Sequence, residues 1–247
     1  MITANEILEL LEERHNPEQR SVLMRFFKTG PGEYGEGDEF LGLKVPQTRE
    51  IVRHARLQVS FTEIEKLLYS HWHEARLCGL LLLVEEMEAT LPKRRDPEAE
   101  LQRKAARRKE IAEFYLAHAR QANNWDLVDQ SCYKILGPYL RLSGGPLTEL
   151  LLRLSRSSNL WEQRIAIVTT LDFVRHDILA PSLLLADKLL NHRHDLIHKA
   201  VGWVLREVGK RDKSLLISYL KQNLVRLPRT TYRYAIERLT PADITLL

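Results

Sequence analysis

Glycine is scarce in this chain, 11 residues among 247. β-Branched residues are thinly spread while leucine is abundant, a balance that disfavours sheets and favours helices. Apolar and polar residues nowhere alternate at the strand period. Only two cysteines occur, Cys78 and Cys132, far apart and set among apolar neighbours (LCGLLLL and SCYKIL). That excludes a metal-type cysteine pair and reads as two small buried thiols in a reducing compartment. The longest apolar run, Leu77 to Val84, is much too short to cross a bilayer. The opening stretch MITANEILELLEERHNPEQR is acidic and amphipathic, without the basic start and apolar middle of a secretory signal. A cytoplasmic protein with no membrane partner is the expectation.

Apolar residues recur at helical spacing almost throughout, as in Ile7, Leu8 and Leu11, and again in Leu147, Leu150, Leu151 and Leu154. Breaks fall at Asn16-Pro17, Gly30 to Gly37, Pro92 to Pro97, Gly144 to Pro146, Pro181 and Pro228. The spacing predicts about a dozen short helices in an all-α fold. A chain of this length can bury one substantial core, and a single domain over 1–247 is expected.

Four segments resemble one another: WHEARLCGLLLL from Trp72, WEQRIAIVTTL from Trp161, HKAVGWVLREV from His198 and TYRYAIERL from Thr231. The last three recur at about 35 residues, near the period of helix-pair solenoids. Stacked antiparallel helix pairs follow, with one row of helices lining a concave surface. WHEAR, NWDLVD, WEQR and HKAVGW are expected on that row, their polar side chains towards a partner. The stretch Gly30 to Arg49 is too rich in glycine for a helix and is expected to be an ordered loop feeding a helix after Pro46. LPKRRDPEAELQRKAARRKE is dense in charge and reads as a solvated helical face or loop, with phosphate contact as the alternative. The net charge of +4 permits nucleic-acid binding without requiring it.

The densest chemical signal is NNWDLVDQSCYKILG, from Asn123 to Gly137. Trp125 and Asp129, at i and i+4, share a helix face, and an indole beside a carboxylate is suited to stabilising a cation. The bland alternative is that Asp126 serves the helix dipole and Trp125 is core. Trp161 and Trp203 lie in later repeat-like segments beside Arg164 and Arg206, and Gly202 next to Trp203 permits a close approach. The histidine groups, His71 and His73 with Glu74, and His192 with His194, lack the i, i+4 spacing of a helical zinc site. They are expected at the surface or beside phosphates, and no metal or cofactor is called for.

In ordered blocks the sequence resembles the AlkD-type DNA alkylation repair family: GEGDEFLGLKVPQTR, WHEARLCGLLLL, NNWDLVDQS, WEQRIAIV and HKAVGWVLREVGK. The resemblance implies a curved right-handed solenoid of HEAT-like antiparallel helix pairs that grips double-stranded DNA carrying alkylated bases. It implies a monomeric DNA glycosylase, a hydrolase of N-glycosyl bonds in base excision repair, acting on N3- and N7-alkylated purines. Matched by position, Trp125 and Trp203 resemble the family's aromatic pair against the deoxyribose, Asp129 its catalytic carboxylate and Arg164 its backbone-holding arginine. Arg206 and Lys210 resemble further backbone contacts, and Trp161, Gln163 and Lys199 complete the DNA-contacting set. The implied groove is open, without a deep pocket for the base. Asn124 stands where some members carry an aromatic residue, so stacking from that side is not implied. The alternative of another class is a non-catalytic HEAT-repeat scaffold for DNA structures or protein partners.

Overall fold

A computed structural model describes residues 1–146 and 148–247. Leu147, one of the leucines assigned to the helical periodicity, lies outside them. The described residues are helical, without a named strand; a single bridge joins Glu39 and Trp72. Fourteen α-helices occur among them, slightly more than the dozen expected. None is long and apolar enough to cross a membrane. The chain divides into two compact units, Met1–Ser131 and Cys132–Leu247.

The first unit contains α1 (Ala4–Glu12), α2 (Pro17–Phe26), α3 (Val45–Ala55), α4 (Phe61–Leu68), α5 (His73–Ala89) and α6 (Glu98–Ala117). It ends in the first turns of α7 (Trp125–Leu142), within which the division falls. Local chemistry sets these boundaries. Thr3 and Glu6 form a capping box on α1, Asn16 caps α2 ahead of Pro17, and Ser60 caps α4. The glycine-rich stretch is a loop, as expected, and α3 starts at Val45, one residue ahead of Pro46. α5 packs against α1, α3, α4 and α6. Every residue from His73 to Val84 is buried, which explains the absence of an apolar stripe in LCGLLLLV: over this stretch the helix has no solvent face.

The charge-dense stretch forms the approach to α6 and its first turns. Its cations are largely satisfied within the chain. Lys104 is buried and paired with Asp96 at 2.6 Å, and Arg108 is buried and donates to Thr90 O at 2.5 Å. Arg107 pairs with Glu86 and lies over the Phe61 ring at 4.2 Å. The expected solvated face is therefore partly an internal brace.

The second unit holds the rest of α7, α8 (Glu149–Ser155), α9 (Leu160–Arg175), α10 (Ala180–Leu189), α11 (Asp195–Arg211), α12 (Lys213–Asn223), α13 (Arg229–Ala235) and α14 (Pro241–Thr245). The three segments recurring at about 35 residues are the odd-numbered helices: WEQR opens α9, HKAVGW lies on α11 and TYRYA on α13. α9 packs on α11 and α11 on α13, while α8 and α10 pack on α9 and on each other, and α10 and α12 pack on α11. Within this unit the sequence repeat is thus a repeat of helix pairs. Pro181, read as a break, sits in the first turn of α10, where its missing N–H costs nothing.

Gly202 shows what its missing side chain admits. A Cβ there would stand 2.5 Å from Tyr234 Cβ and 2.7 Å from Thr231 O. The close approach predicted at this position is made by α13 of the chain itself.

Candidate nucleic-acid interface

In the first unit the segment WHEAR has a different role from the expected one. His73, Glu74 and Arg76 are all buried, so their polar ends turn to the protein interior rather than to a partner. Glu74 accepts from three consecutive backbone amides, Leu41 at 2.9 Å, Gly42 at 2.8 Å and Leu43 at 3.0 Å, and so pins the loop ahead of α3. At Gly42 φ is +96° and a Cβ would meet Asn16 O at 2.2 Å, so this position needs glycine.

His73 lies between two carboxylates. Its Nδ1 is 2.7 Å from Asp38 Oδ2 and its Nε2 is 2.9 Å from Asp126 Oδ2. Burial alone pulls its pKa down, but the charges and hydrogen bonds of Asp126 and Asp38 outweigh that and raise it to about 9. The ring is therefore an imidazolium that donates to both acids, at only 2% exposure. This corrects the expectation of a surface histidine: a cation in the interior survives because two anions bracket it. His71, by contrast, is exposed. Arg76 completes the group by pairing with Asp38 through Nη2 and donating from Nη1 to Ser70 O and His71 O. Asp38 is held below the usual carboxylate range: burial pushes it up, but the bond and charge of His73, the Arg76 guanidinium and the Asn124 amide prevail.

The same network seats the N-terminus of α7. Asn124 is fully buried, donates to Asp38 Oδ2 at 3.2 Å and accepts from the Trp125 amide at 2.8 Å. Trp125 is half-buried and stacks on Phe27 at 5.2 Å and 24°, with Phe26 edge-on at 5.8 Å. The aromatic neighbours that Asn124 does not supply thus come from the end of α2. Asp129, also half-buried, follows one turn later on α7. Asp38, His73, Arg76 and Asn124 were not singled out as site residues from the sequence. The usable signal for His73 and Arg76 was their place in the first turn of a helix whose following residues are apolar on every side, which leaves them no route to water; Asp38 and Asn124 carried no such signal.

In the second unit Trp161 is buried at 7% exposure, at the Asn159-capped start of α9. Gln163 donates to Ser157 O at 2.7 Å and lies 2.9 Å from His192 Nε2. Arg164, 5% exposed, donates from Nη1 to Leu196 O at 2.5 Å. Burial lowers the pKa of both His192 and His194, and the two are half-buried. Lys199 pairs with Asp195 at 2.9 Å, and Arg206 with Glu237 and with Glu207.

Trp203 is half-buried and lines a 360 Å³ groove between α9 and α11. Lys210 lines it too, 2.7 Å from Glu207, together with Arg175 and Arg211, which the sequence reading did not single out. Arg175 lies over the Tyr133 ring at 4.5 Å and Arg211 grips Asp177 with two bonds of 2.7 Å. An aromatic ring among three cations suits contact with a sugar-phosphate chain.

Helix pairs of this kind define an all-α repeat protein, and a solved structure shares the fold: a predicted DNA alkylation repair enzyme from Enterococcus faecalis. The two are 18% identical with a TM-score of 0.66, over 92% of this chain and 97% of that one. Residues 7–239 match the family described as DNA alkylation repair enzyme, and the chain belongs to that family. A comparison with curated proteins finds no match.

Proposed function

We propose that the protein is a DNA glycosylase that releases positively charged N3- and N7-alkylated purines from duplex DNA. The observation that carries this reading is the pairing of a half-buried indole, Trp125, with a carboxylate one helical turn later, Asp129, in a chain of the DNA alkylation repair family.

An alkylated purine cation is already a good leaving group, so the sugar is where the reaction needs help. As the glycosidic bond lengthens, the base takes the bonding pair and positive charge develops on the deoxyribose, as in glycoside hydrolysis. Asp129 stabilises that charge and takes a proton from the water that attacks the anomeric carbon. Trp125 and Trp203 present π faces to the cation, on the order of 1 kcal/mol each. Trp125 is braced for this by Phe27 behind it. Arg164 and Lys210 hold the phosphate chain by charge-assisted hydrogen bonds, with Arg206, Lys199, Gln163 and Trp161 as further contacts.

Selectivity then rests on the charge of the lesion. Wild-type protein is expected to release N7-methylguanine and N3-methyladenine from duplexes while leaving uracil untouched. Equal cleavage of uracil would remove the role of lesion charge. Tight binding without any base release would assign the fold to a non-catalytic scaffold.

A further inference from the structure

Trp125 is anchored on both sides along the chain. Asn124 before it accepts from the Trp125 amide at 2.8 Å and donates to Asp38 Oδ2 at 3.2 Å. Asp126 after it accepts from His73 Nε2 at 2.9 Å, and His73 Nδ1 donates to the same Asp38 Oδ2 at 2.7 Å. The two anchors thus close through one oxygen, and all four of these side chains are at most 5% exposed.

His73 also reaches the indole through rings. Its imidazole stacks on Phe40 at 4.3 Å and lies 5.1 Å from Phe27, which in turn stacks on Trp125 at 5.2 Å. One residue of α5 therefore supports both the backbone beneath Trp125 and the ring behind its indole. Two carboxylates follow Trp125 within about one turn, and they differ: Asp126 is buried against His73, whereas Asp129 is half-buried. A buried ion pair is a poor way to stabilise a helix end, since packed apolar side chains do as well or better. What it adds is direction, because hydrogen bonds fix an angle that apolar contacts leave loose.

We propose that His73 is a positioning residue for base release: bonded to Asp126 and packed behind Phe27, it fixes the first turn of α7, and with it the plane of the Trp125 indole and the place of Asp129. At 2% exposure it does so without reaching DNA itself. This role deepens the glycosylase reading and rests on it for the reaction served. A catalytic group displaced by about 1 Å can slow the chemical step by about 100-fold, so the rate should suffer rather than the binding.

The full-length chain is tested through Asp126, because removing His73 would leave two acids unpaired. Asp126→Ala takes the acceptor from Nε2 and keeps the His73–Asp38 pair; the oxygen of Asp126→Asn can still accept. Duplex affinity, single-turnover release of N7-methylguanine and fluorine NMR of fluorotryptophan-labelled protein are compared, with the Trp125 resonance identified by its loss in Trp125→Phe. Asp126→Ala should release base about 10–100-fold more slowly, with duplex affinity within about threefold of wild type. Its Trp125 resonance should shift or broaden while those of Trp161 and Trp203 stay. Asp126→Asn should recover release to within about fivefold of wild type and restore the resonance. If Asp126→Ala does not fold, Asp126→Ser, whose oxygen stops one bond short, replaces it under the same expectations.

Wild-type release by the folded Ala or Ser variant overturns the positioning role. So does slower release with an unmoved Trp125 resonance, with affinity falling in step, or with equal loss in Asp126→Asn. Wild type that releases no base removes the glycosylase reading, and the resonance then decides alone. Moved by Ala and restored by Asn, it keeps the His73–Asp126 bond as the seat of Trp125; unmoved, it removes that as well.

Discussion

His73 Nε2 lies 2.9 Å from Asp126 Oδ2 and thereby joins α5 to the first turn of α7, one residue from Trp125. With Asp38 on its other nitrogen and Arg76 behind Asp38, the imidazolium is the centre of a buried alternation of charges. Removing a single member leaves its neighbours charged and dry, which is what makes such groups costly to break.

Replacing His73 by alanine should therefore lower stability by about 3–5 kcal/mol, measured by urea unfolding. It should also loosen the loop pinned ahead of α3, visible as faster amide exchange at Leu41 to Leu43. A loss below about 1 kcal/mol would show that the network is not cooperative.

The same group sets the dependence of stability on pH. His73 is raised in the folded protein to about 9, above its unfolded value of about 6.5. Its contribution is complete below the unfolded value and is lost as pH climbs through about 9, a fall of about 3 kcal/mol over that window. Asp38 is shifted the other way, so its contribution is present above about pH 4 and is lost as pH falls further. Denaturant titrations between pH 6 and 10 should show the alkaline decline in wild type and its absence in His73→Gln.

Much of the architecture was legible because helix period, caps and proline positions agree locally with the fold. The repeat in WEQR, HKAVGW and TYRYA was readable for the same reason: each must bury the same face against the next pair. The burial of His73, Glu74 and Arg76 was not, since charged residues ordinarily read as solvent-facing and only their partners, distant in sequence at Asp38 and Asp126, make the interior tolerable. The same holds for Trp125, whose aromatic support from Phe26 and Phe27 comes from a helix about a hundred residues away.

Gly202→Ala should destabilise the second unit, because the added methyl meets Thr231 O and Tyr234 Cβ inside contact distance. A cost of about 1–3 kcal/mol is expected, read from the melting temperature. An unchanged melt would mean that α13 can move away from α11 freely.

Two cations should behave differently on DNA. Lys210 is exposed, so Lys210→Ala should leave stability nearly intact and reduce the salt slope of duplex binding by about 1. Arg164 is buried with Nη1 on Leu196 O, so Arg164→Ala should weaken binding and also cost about 1–3 kcal/mol of stability. Fluorescence anisotropy over a salt series, alongside thermal melts, separates the two; identical behaviour would contradict the difference in burial.

Asp129→Asn keeps the shape of the side chain and removes its charge, so it isolates the carboxylate's part in the chemistry. Single-turnover release of N7-methylguanine from a duplex should slow by about 100-fold or more while duplex affinity stays within about twofold of wild type. Release by Asp129→Asn at the wild-type rate would contradict the assignment of Asp129 to the developing charge on the sugar.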